Sequence, residues 1–195
     1  MKINVEEIKK TAIDLFLKNG YNNVTIQDIC DAVHITKPTL YKYIKGKEDL
    51  VLDFYDQTIE KLVNDTYRLV DSDSHYQQLL IIFSTIINDT KRYGFDLLSQ
   101  LFIANLKENR KTFEMQESLT KLCHIIIKKA QEKNEIQNHC DPAILYDALA
   151  HLFTGYEVMW CIDKENDGFS EAFYLGMNAI LEVDPQYKDL YKEYL

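Results

Sequence analysis

Several features are scarce in this 195-residue chain, and each scarcity excludes a class of protein. The four cysteines, at positions 30, 123, 140 and 161, show no C-x-x-C spacing, which argues against a zinc finger and favours reduced thiols over a disulfide scaffold. The longest apolar run, Leu79–Phe83, is far too short to span a bilayer. The first ten residues lack the apolar centre of a signal peptide. We therefore expect a soluble cytoplasmic protein without a membrane partner.

Motifs for catalysis and for cofactors are also lacking. The sequence has no glycine-rich phosphate loop, no nucleophile elbow and no paired-carboxylate motif in a suitable context. Residue types that bind metals do occur, at Cys123, His124, His139, Cys140, Asp141, His151 and Cys161. Neighbours on a helix point about 100° apart, so Cys123 and His124 do not easily share one ion. Asp141 precedes Pro142 and is better explained as a helix cap. We predict no enzyme, no cofactor and no metal site.

Basic residues are outnumbered, and their distribution is uneven. The chain has 22 basic and 31 acidic residues, for a net charge of −9. Residues 1–50 hold eight lysines against seven acids, whereas residues 51–195 hold 14 basic and 24 acidic residues. Any attraction to phosphates must therefore be local, and the lysines that supply it are Lys37, Lys42, Lys45 and Lys47.

Helical periodicity fills the chain, and we find no strand pattern, repeat or low-complexity tract. Apolar residues recur at spacings of three and four, between start and stop signals. Beyond Gly46, helices are predicted over about 47–70, 75–93, 96–106, 112–133, 142–161 and 170–183. The predicted fold class is therefore all-α. A last amphipathic turn or two after Pro185 is possible through Tyr187, Leu190, Tyr191 and Tyr194.

The stretch Thr25–Lys47 has the pattern of a helix-turn-helix, the unit that places its second helix in the major groove of DNA. A helix over about 5–19, capped by Asn4 and ended by Gly20, is expected to pack under it. Thr25 and Asp28 form a capping-box pattern, and Thr36 is expected to cap the second helix. Leu40 and Ile44 point inward, which leaves the intervening side chains largely outward.

The spacing of residues in this region resembles the N-terminal domain of the tetracycline-repressor (TetR) family. The resemblance covers about the first quarter of the chain and rests on Ile8, Ala12, Leu15-Phe16, Gly20-Tyr21, Thr25-Ile26, Asp28-Ile29, Thr39-Leu40-Tyr41, Tyr43, Lys47-Glu48 and Leu50. One position departs from the family pattern, because the turn between the two helices carries His34 where a glycine is usual. A left-handed backbone there strains most residues by about 1–2 kcal/mol, although histidine is among the less reluctant types.

The resemblance and the outward positions together give the expected DNA contacts. Lys37 suits guanine, while Thr36, Pro38 and Thr39 suit base edges and thymine methyl groups. Thr25, Tyr41 and Lys47 correspond to family positions that hold phosphates and set register. The full set of expected DNA-binding residues is Thr25, Thr36, Lys37, Pro38, Thr39, Tyr41, Lys42, Tyr43 and Lys47.

A dimer and an effector pocket are further implications of the resemblance. The helix at 142–161 is apolar on more than one side, which calls for a second cover. A four-helix bundle between two copies supplies that cover, and its expected residues are Leu145, Leu149, Leu152, Phe153, Phe173, Met177 and Leu181. The expected effector pocket is apolar and aromatic, with Phe54, Thr58, Phe83, Phe102, Phe113, Met115, His124 and Tyr156. For each single aromatic residue, plain core packing is the stronger alternative.

These expectations describe a homodimeric regulator that binds a double-stranded DNA operator and a small-molecule effector. Residues 1–47 are predicted as the DNA-binding domain and residues 48–195 as the effector-binding and dimerisation domain. Two alternatives remain: a helical small-molecule or lipid carrier whose DNA unit is vestigial, and an acidic adaptor that acts through protein contacts. Neither the operator nor the effector is evident from the sequence, nor is the choice between repressor and activator.

Overall fold

The computed structural model describes residues 4–51, 72–109, 117–164 and 168–195. Within these ranges it contains helices and one isolated bridge between Ile136 and Val183, which confirms the all-α class. The α-helices are α1 (Val5–Asn19), α2 (Ile26–Ala32), α3 (Lys37–Leu40), α4 (His75–Lys107), α5 (Glu117–Glu132), α6 (Pro142–Ile162) and α7 (Phe169–Leu181). Short 3-10 helices occupy Tyr21–Asn23 and Leu190–Tyr194.

Most predicted helix boundaries are confirmed to within two residues, because local signals fix them. Asn4 accepts a hydrogen bond from the Glu6 amide and caps α1. The Asp141 carboxylate accepts one from the Ala143 amide and caps α6. The predicted interruption at Gly94 is also present: α4 runs through this residue, but its φ of 71° and ψ of 160° are not helical. Residues 47–51 are helical, and the rest of the predicted 47–70 helix lies outside the described residues.

The chain divides into two compact units, and the division differs from the predicted boundary. One unit comprises Met1–Thr58 with Thr90–Glu114, and the other comprises Ile59–Asp89 with Met115–Leu195. The first unit therefore includes the second half of α4 besides the amino-terminal helices. In this unit α1 contacts α2, and α2 contacts α3. Its shared core includes Ile8, Ala12, Ile13, Phe16, Ile29, Cys30 and Leu40, all at most 2% exposed.

The second unit is built by consecutive packing of α5 on α6, α6 on α7, and α7 on the last 3-10 helix. An aromatic cluster of Phe83, Phe153 and Phe173 joins α4, α6 and α7, with ring centroids 4.8–6.2 Å apart. None of the helices among the described residues is long and apolar enough to cross a membrane.

A buried polar network fixes the start of α4 in this unit. The Glu135 carboxylate accepts a hydrogen bond from the Tyr76 amide at 2.7 Å and lies 3.0 Å from His75 Nδ1. The Tyr76 hydroxyl donates to the Asn178 side chain, whose amide donates to the Lys188 carbonyl. Buried polar groups are costly without partners, so this network ties α4, α7 and the carboxyl-terminal segment to one arrangement.

Candidate nucleic-acid interface

The scaffold of the helix-turn-helix is fixed by a reciprocal cap. The Thr25 hydroxyl accepts from the Asp28 amide at 3.2 Å, and the Asp28 carboxylate accepts from the Thr25 amide at 2.7 Å. The predicted capping box is therefore confirmed. The hydrogen bond from the Thr25 backbone, followed by that from its hydroxyl, lowers the pKa of Asp28, because both bonds favour the ionised carboxylate.

The turn between α2 and α3 has a left-handed residue where the sequence predicts one. His34 has a φ of 56°. The Ile35 amide donates to the Cys30 carbonyl at 3.0 Å, and the His34 amide donates to the Asp31 carbonyl at 3.4 Å. These two bonds form a Schellman motif, which satisfies the last carbonyls of a helix. The turn thus keeps the usual geometry of a helix end, although histidine replaces the residue type that adopts it most easily.

The recognition helix is short and anchored from below. Leu40 is fully buried and Ile44 is 5% exposed, which confirms their inward direction. The amides of Tyr41 and Ile44 donate to the Lys37 and Leu40 carbonyls, so helical bonding continues past the last residue of α3. Thr36 occupies the N-cap position, but its hydroxyl makes no cap bond and lies 2.9 Å from the Thr39 hydroxyl. The expected side-chain cap by Thr36 is therefore wrong.

The outward surface of this helix carries the residues expected to contact bases. Thr36, Lys37, Pro38, Tyr41, Lys42 and Tyr43 are exposed, and Thr39 is half-buried. Tyr41 and Tyr43 are 52% and 45% exposed, so neither ring belongs to the core. Residues 36–47 contain four lysines and no acidic residue. The surface is thus a cationic ridge with hydroxyl and aromatic groups, which suits the phosphates and base edges of a duplex.

Two of the expected phosphate-binding residues already have partners within the chain. The Thr25 hydroxyl donates its only proton to the Asp28 carboxylate at 2.7 Å, so in this arrangement it has no proton to donate to a phosphate. The Lys47 ammonium donates to the Tyr21 carbonyl at 2.8 Å and the Val24 carbonyl at 2.7 Å. It also lies 4.2 Å from the centroid of the Tyr21 ring.

Lys47 therefore joins the helical residues 47–51 to the segment before α2. An ammonium has three N–H donors, and two of them are occupied by Tyr21 and Val24. Burial, the largest effect on this group, lowers the pKa of Lys47. Tyr21 packs on Phe16 with ring centroids 4.9 Å apart, which confirms that it fills the junction between α1 and the motif. The signal for this second role of Lys47 is long-range and is not visible in sequence spacing.

The residues expected for the effector are only partly described. Phe83 is buried in the aromatic cluster with Phe153 and Phe173. Phe102, His124 and Tyr156 are half-buried, and the His124 ring meets the edge of the Tyr146 ring. Phe54, Thr58, Phe113 and Met115 lie outside the described residues. Among the described residues no group of His, Cys, Asp and Glu has the arrangement of a metal site.

The residues expected at the dimer interface are mostly core residues of the chain itself. Six of the seven are at most 5% exposed, namely Leu145, Leu149, Phe153, Phe173, Met177 and Leu181. Only Leu152 is half-buried. These six side chains pack inside the chain itself, and their place at a dimer interface stays a prediction. The apolar residues that face outward on α6 and α7 are Ile144, Met159, Ile162 and Leu175, which are 52–69% exposed.

Comparison with known proteins agrees with this geometry. Residues 8–54 match the family model for bacterial regulatory proteins of the tetR family. A stretch of 92 residues is 30% identical to the uncharacterized HTH-type transcriptional regulator YuxN of Bacillus subtilis (strain 168). That match covers 45% of this chain and 32% of YuxN, so it spans about a third of that relative's length.

Solved structures extend the likeness to nearly the whole fold. FadR of Thermus thermophilus, a TetR-family transcriptional repressor in complex with lauroyl-CoA, superposes with a TM-score of 0.72 at 24% identity, over 92% of this chain and 94% of that one. SmeT, the repressor of the Stenotrophomonas maltophilia multidrug efflux pump SmeDEF, gives a TM-score of 0.65 at 14% identity, over 94% and 92%. Residues 8–54 thus match the tetR family of bacterial regulatory proteins, and the fold of the described chain is similar to that of these solved repressors.

Proposed function

We propose that this protein is a ligand-responsive transcriptional regulator, a repressor that a small, mostly apolar effector releases from a palindromic operator. The observation that carries the proposal is the exposed cationic ridge over residues 36–43, held in place by the buried Leu40 and Ile44. Residues 36–47 carry four lysines and no acidic residue, which is a local excess of positive charge in a chain whose net charge is −9.

The ridge divides into residues that read bases and residues that hold the backbone. Lys37 lies at the first position of α3 and donates to guanine O6 and N7, while Thr36, Pro38 and Thr39 meet base edges and thymine methyl groups. Tyr41, Lys42 and Tyr43 lie past the end of α3 and hold phosphates. Lys47 adds one remaining N–H donor and, more importantly, positions the motif.

A symmetric dimer supplies the area that one motif lacks. A single module of this kind buries about 600–1,000 Å² on DNA, and two copies bind a roughly palindromic site. One helical stripe of α6 carries exposed or half-buried residues without charge, namely Ile144, Ala148, Leu152, Gly155, Met159 and Ile162. A second copy of this stripe covers the exposed apolar side chains. The dimer therefore uses this stripe rather than the residues buried in the core.

The effector half of the proposal rests on the relatives. FadR is a repressor in complex with lauroyl-CoA, and a further structural neighbour is a gamma-butyrolactone receptor. Release follows if the effector binds one conformation of the dimer more tightly than the other. A shift from mostly bound to mostly free requires a preference of several kcal/mol. The helical residues 47–51 follow the Lys45-Gly46 bend and connect the motif to the rest of the chain.

Selection from a pool of random duplexes at low salt tests DNA binding. We expect enrichment of a palindrome, and an affinity for it that falls steeply as salt rises, since bound lysines release counterions. The Lys37→Ala variant is expected to lose about 1–3 kcal/mol and to relax preference at one position of each half-site. Failure to enrich any duplex at low salt contradicts the proposal and favours a carrier or an adaptor.

A further inference from the structure

An open cleft lies within the second unit, and its described lining residues are not among those expected to contact the effector. It has a volume of about 540 Å³, within the range of small-molecule sites. One side is a stripe of α4, and the other is the end of the last 3-10 helix. The described residues that line it are Ile81, Ser84, Thr85, Asn88, Asp89, Glu193, Tyr194 and Leu195.

Two hydroxyl groups of this cleft, those of Ser84 and Thr85, donate their protons to the backbone of α4. Ser84 Oγ donates to the Ile81 carbonyl at 2.9 Å, and Thr85 Oγ1 donates to the same carbonyl at 2.8 Å. A hydroxyl has one proton and two lone pairs, so each of these oxygens faces a ligand as an acceptor only. Ser84 is 8% exposed, so it presents only a small surface to the cleft.

The two charged side chains among the described lining residues are both acidic. Asp89 and Glu193 are carboxylates, which accept hydrogen bonds and do not donate them when ionised. No Lys, Arg or His occurs among the described residues that line the cleft. Tyr194 and Ile81 add an aromatic ring and an aliphatic side chain, which suit the apolar part of a ligand and, for the ring, a cation.

From these observations we infer that the cleft is a second ligand site, for a small organic cation whose ammonium or guanidinium group donates hydrogen bonds to Ser84, Thr85 and the two carboxylates. An anion is repelled by the two carboxylates of the lining, and a neutral alcohol offers one proton to several acceptors. A cation with an apolar substituent satisfies the acceptors, the charge and the Tyr194 ring together. Its binding links α4 to the carboxyl-terminal turn and does not depend on DNA binding.

Isothermal titration calorimetry with benzylammonium, benzyl alcohol and benzoate tests the inference on the full chain. The three probes share a ring and differ in charge and in donor number. We expect benzylammonium to bind with a dissociation constant of about 1 mM or below, and the other two to bind at least about tenfold more weakly. Equal binding of the alcohol, or no heat from benzylammonium at about ten times that concentration, overturns the proposal.

Two substitutions locate the probe. Thr85→Val keeps the side-chain volume and removes an acceptor, and we expect about tenfold weaker binding of benzylammonium. Glu193→Gln removes one charge at the exposed rim, with an expected loss of about fivefold. Thr154→Val on α6 and Glu132→Gln at the end of α5 are the matched controls and are expected to bind like the parent. Far-UV circular dichroism confirms folding, and unchanged affinity in both cleft variants refutes the assigned site.

Discussion

At the scale of single residues, the turn of the DNA-binding motif carries a measurable strain at His34. Its φ of 56° places a side chain in the left-handed region, which costs most residues about 1–2 kcal/mol. Glycine adopts this region freely. We therefore expect His34→Gly to raise the free energy of unfolding by about 1 kcal/mol.

Urea denaturation measures this change, with His34→Ala as the control because alanine keeps the strain. His34 is exposed, so neither substitution leaves a cavity. A loss of stability in the glycine variant shows that the imidazole makes a stabilising contact that outweighs the strain.

Lys47 is expected to stabilise the motif as well as to attract DNA. Its two hydrogen bonds to Tyr21 and Val24 have a charged donor, and such bonds contribute more than neutral ones. Because the site is only partly buried, we expect Lys47→Met to cost about 1–2 kcal/mol of unfolding free energy. DNA affinity should fall for all sequences alike, since the lysine reads no base.

The exposed Lys45 provides the comparison for this variant. Lys45→Met removes the same charge two residues earlier and is expected to change stability by less than about 0.5 kcal/mol. Equal unfolding free energies for the two variants, measured by urea denaturation, contradict the positioning role of Lys47.

At the scale of helices, Gly94 allows α4 to change direction. Its φ of 71° and ψ of 160° are unfavourable for any residue with a Cβ atom, while an added Cβ meets no atom within 4 Å. The expected cost of Gly94→Ala is thus purely conformational, at about 1–3 kcal/mol.

A second substitution to alanine in α4 is the control, because it adds no strain to the backbone. Gln100→Ala lies in regular helix and is expected to change stability by less than about 0.5 kcal/mol. Thermal unfolding of both variants measures the difference, and a Gly94→Ala protein as stable as Gln100→Ala shows that the break in α4 is not required.

Helix ends were predictable from sequence where their signals are local. The Thr25–Asp28 box, the Asn4 cap and the Asp141 cap each involve residues two or three positions apart. The start of α4 also has such a cap, since the Gln77 amide donates to Ser74 Oγ. Glu135 bonds the same helix start from 59 positions away, and no spacing rule connects residues that only the tertiary fold brings together.

The orientation of α6 relative to the core shows a second limit of prediction from sequence. Its apolar residues occupy more than one side, so the pattern indicates two covered faces. The pattern does not say which face packs inside the chain and which one a partner covers. Leu149 and Phe153, which were expected at the dimer interface, are buried inside the chain itself. The inward direction of Leu40 and Ile44 was predictable because these two apolar residues lie four positions apart among polar neighbours.

At the scale of the molecule, buried tyrosines are expected to set an alkaline limit to stability. Burial raises the pKa of Tyr21 from 10.0 to about 12, and it also raises the pKa of Tyr76, Tyr146 and Tyr174. A raised pKa means that the folded state keeps the proton longer than the unfolded state. This contribution is complete below pH 10 and declines as pH rises from about 10 to 12.

Urea denaturation at a series of alkaline pH values, with tyrosinate absorbance as a second signal, measures this decline. Tyr21→Phe is expected to be less sensitive to pH in the same range, since one of the groups no longer titrates. An unfolding free energy that stays constant up to pH 12 contradicts the burial of these hydroxyls.

The last prediction concerns assembly, on which the proposed regulation depends. Met159 is 57% exposed on the outward stripe of α6, one helical turn before Ile162 at its carboxyl-terminal end. A glutamate there places a charge in an apolar interface without a partner, which is strongly unfavourable on association but harmless in a solvated monomer. We therefore expect Met159→Glu to sediment as a folded monomer at concentrations where the parent is a dimer, and to bind a palindromic duplex far more weakly.

Ile125→Glu on α5, whose parent side chain is 54% exposed, is the control and should remain dimeric. If the Met159→Glu protein stays dimeric, the two copies meet through another surface, and the spacing of their recognition helices follows from that surface instead.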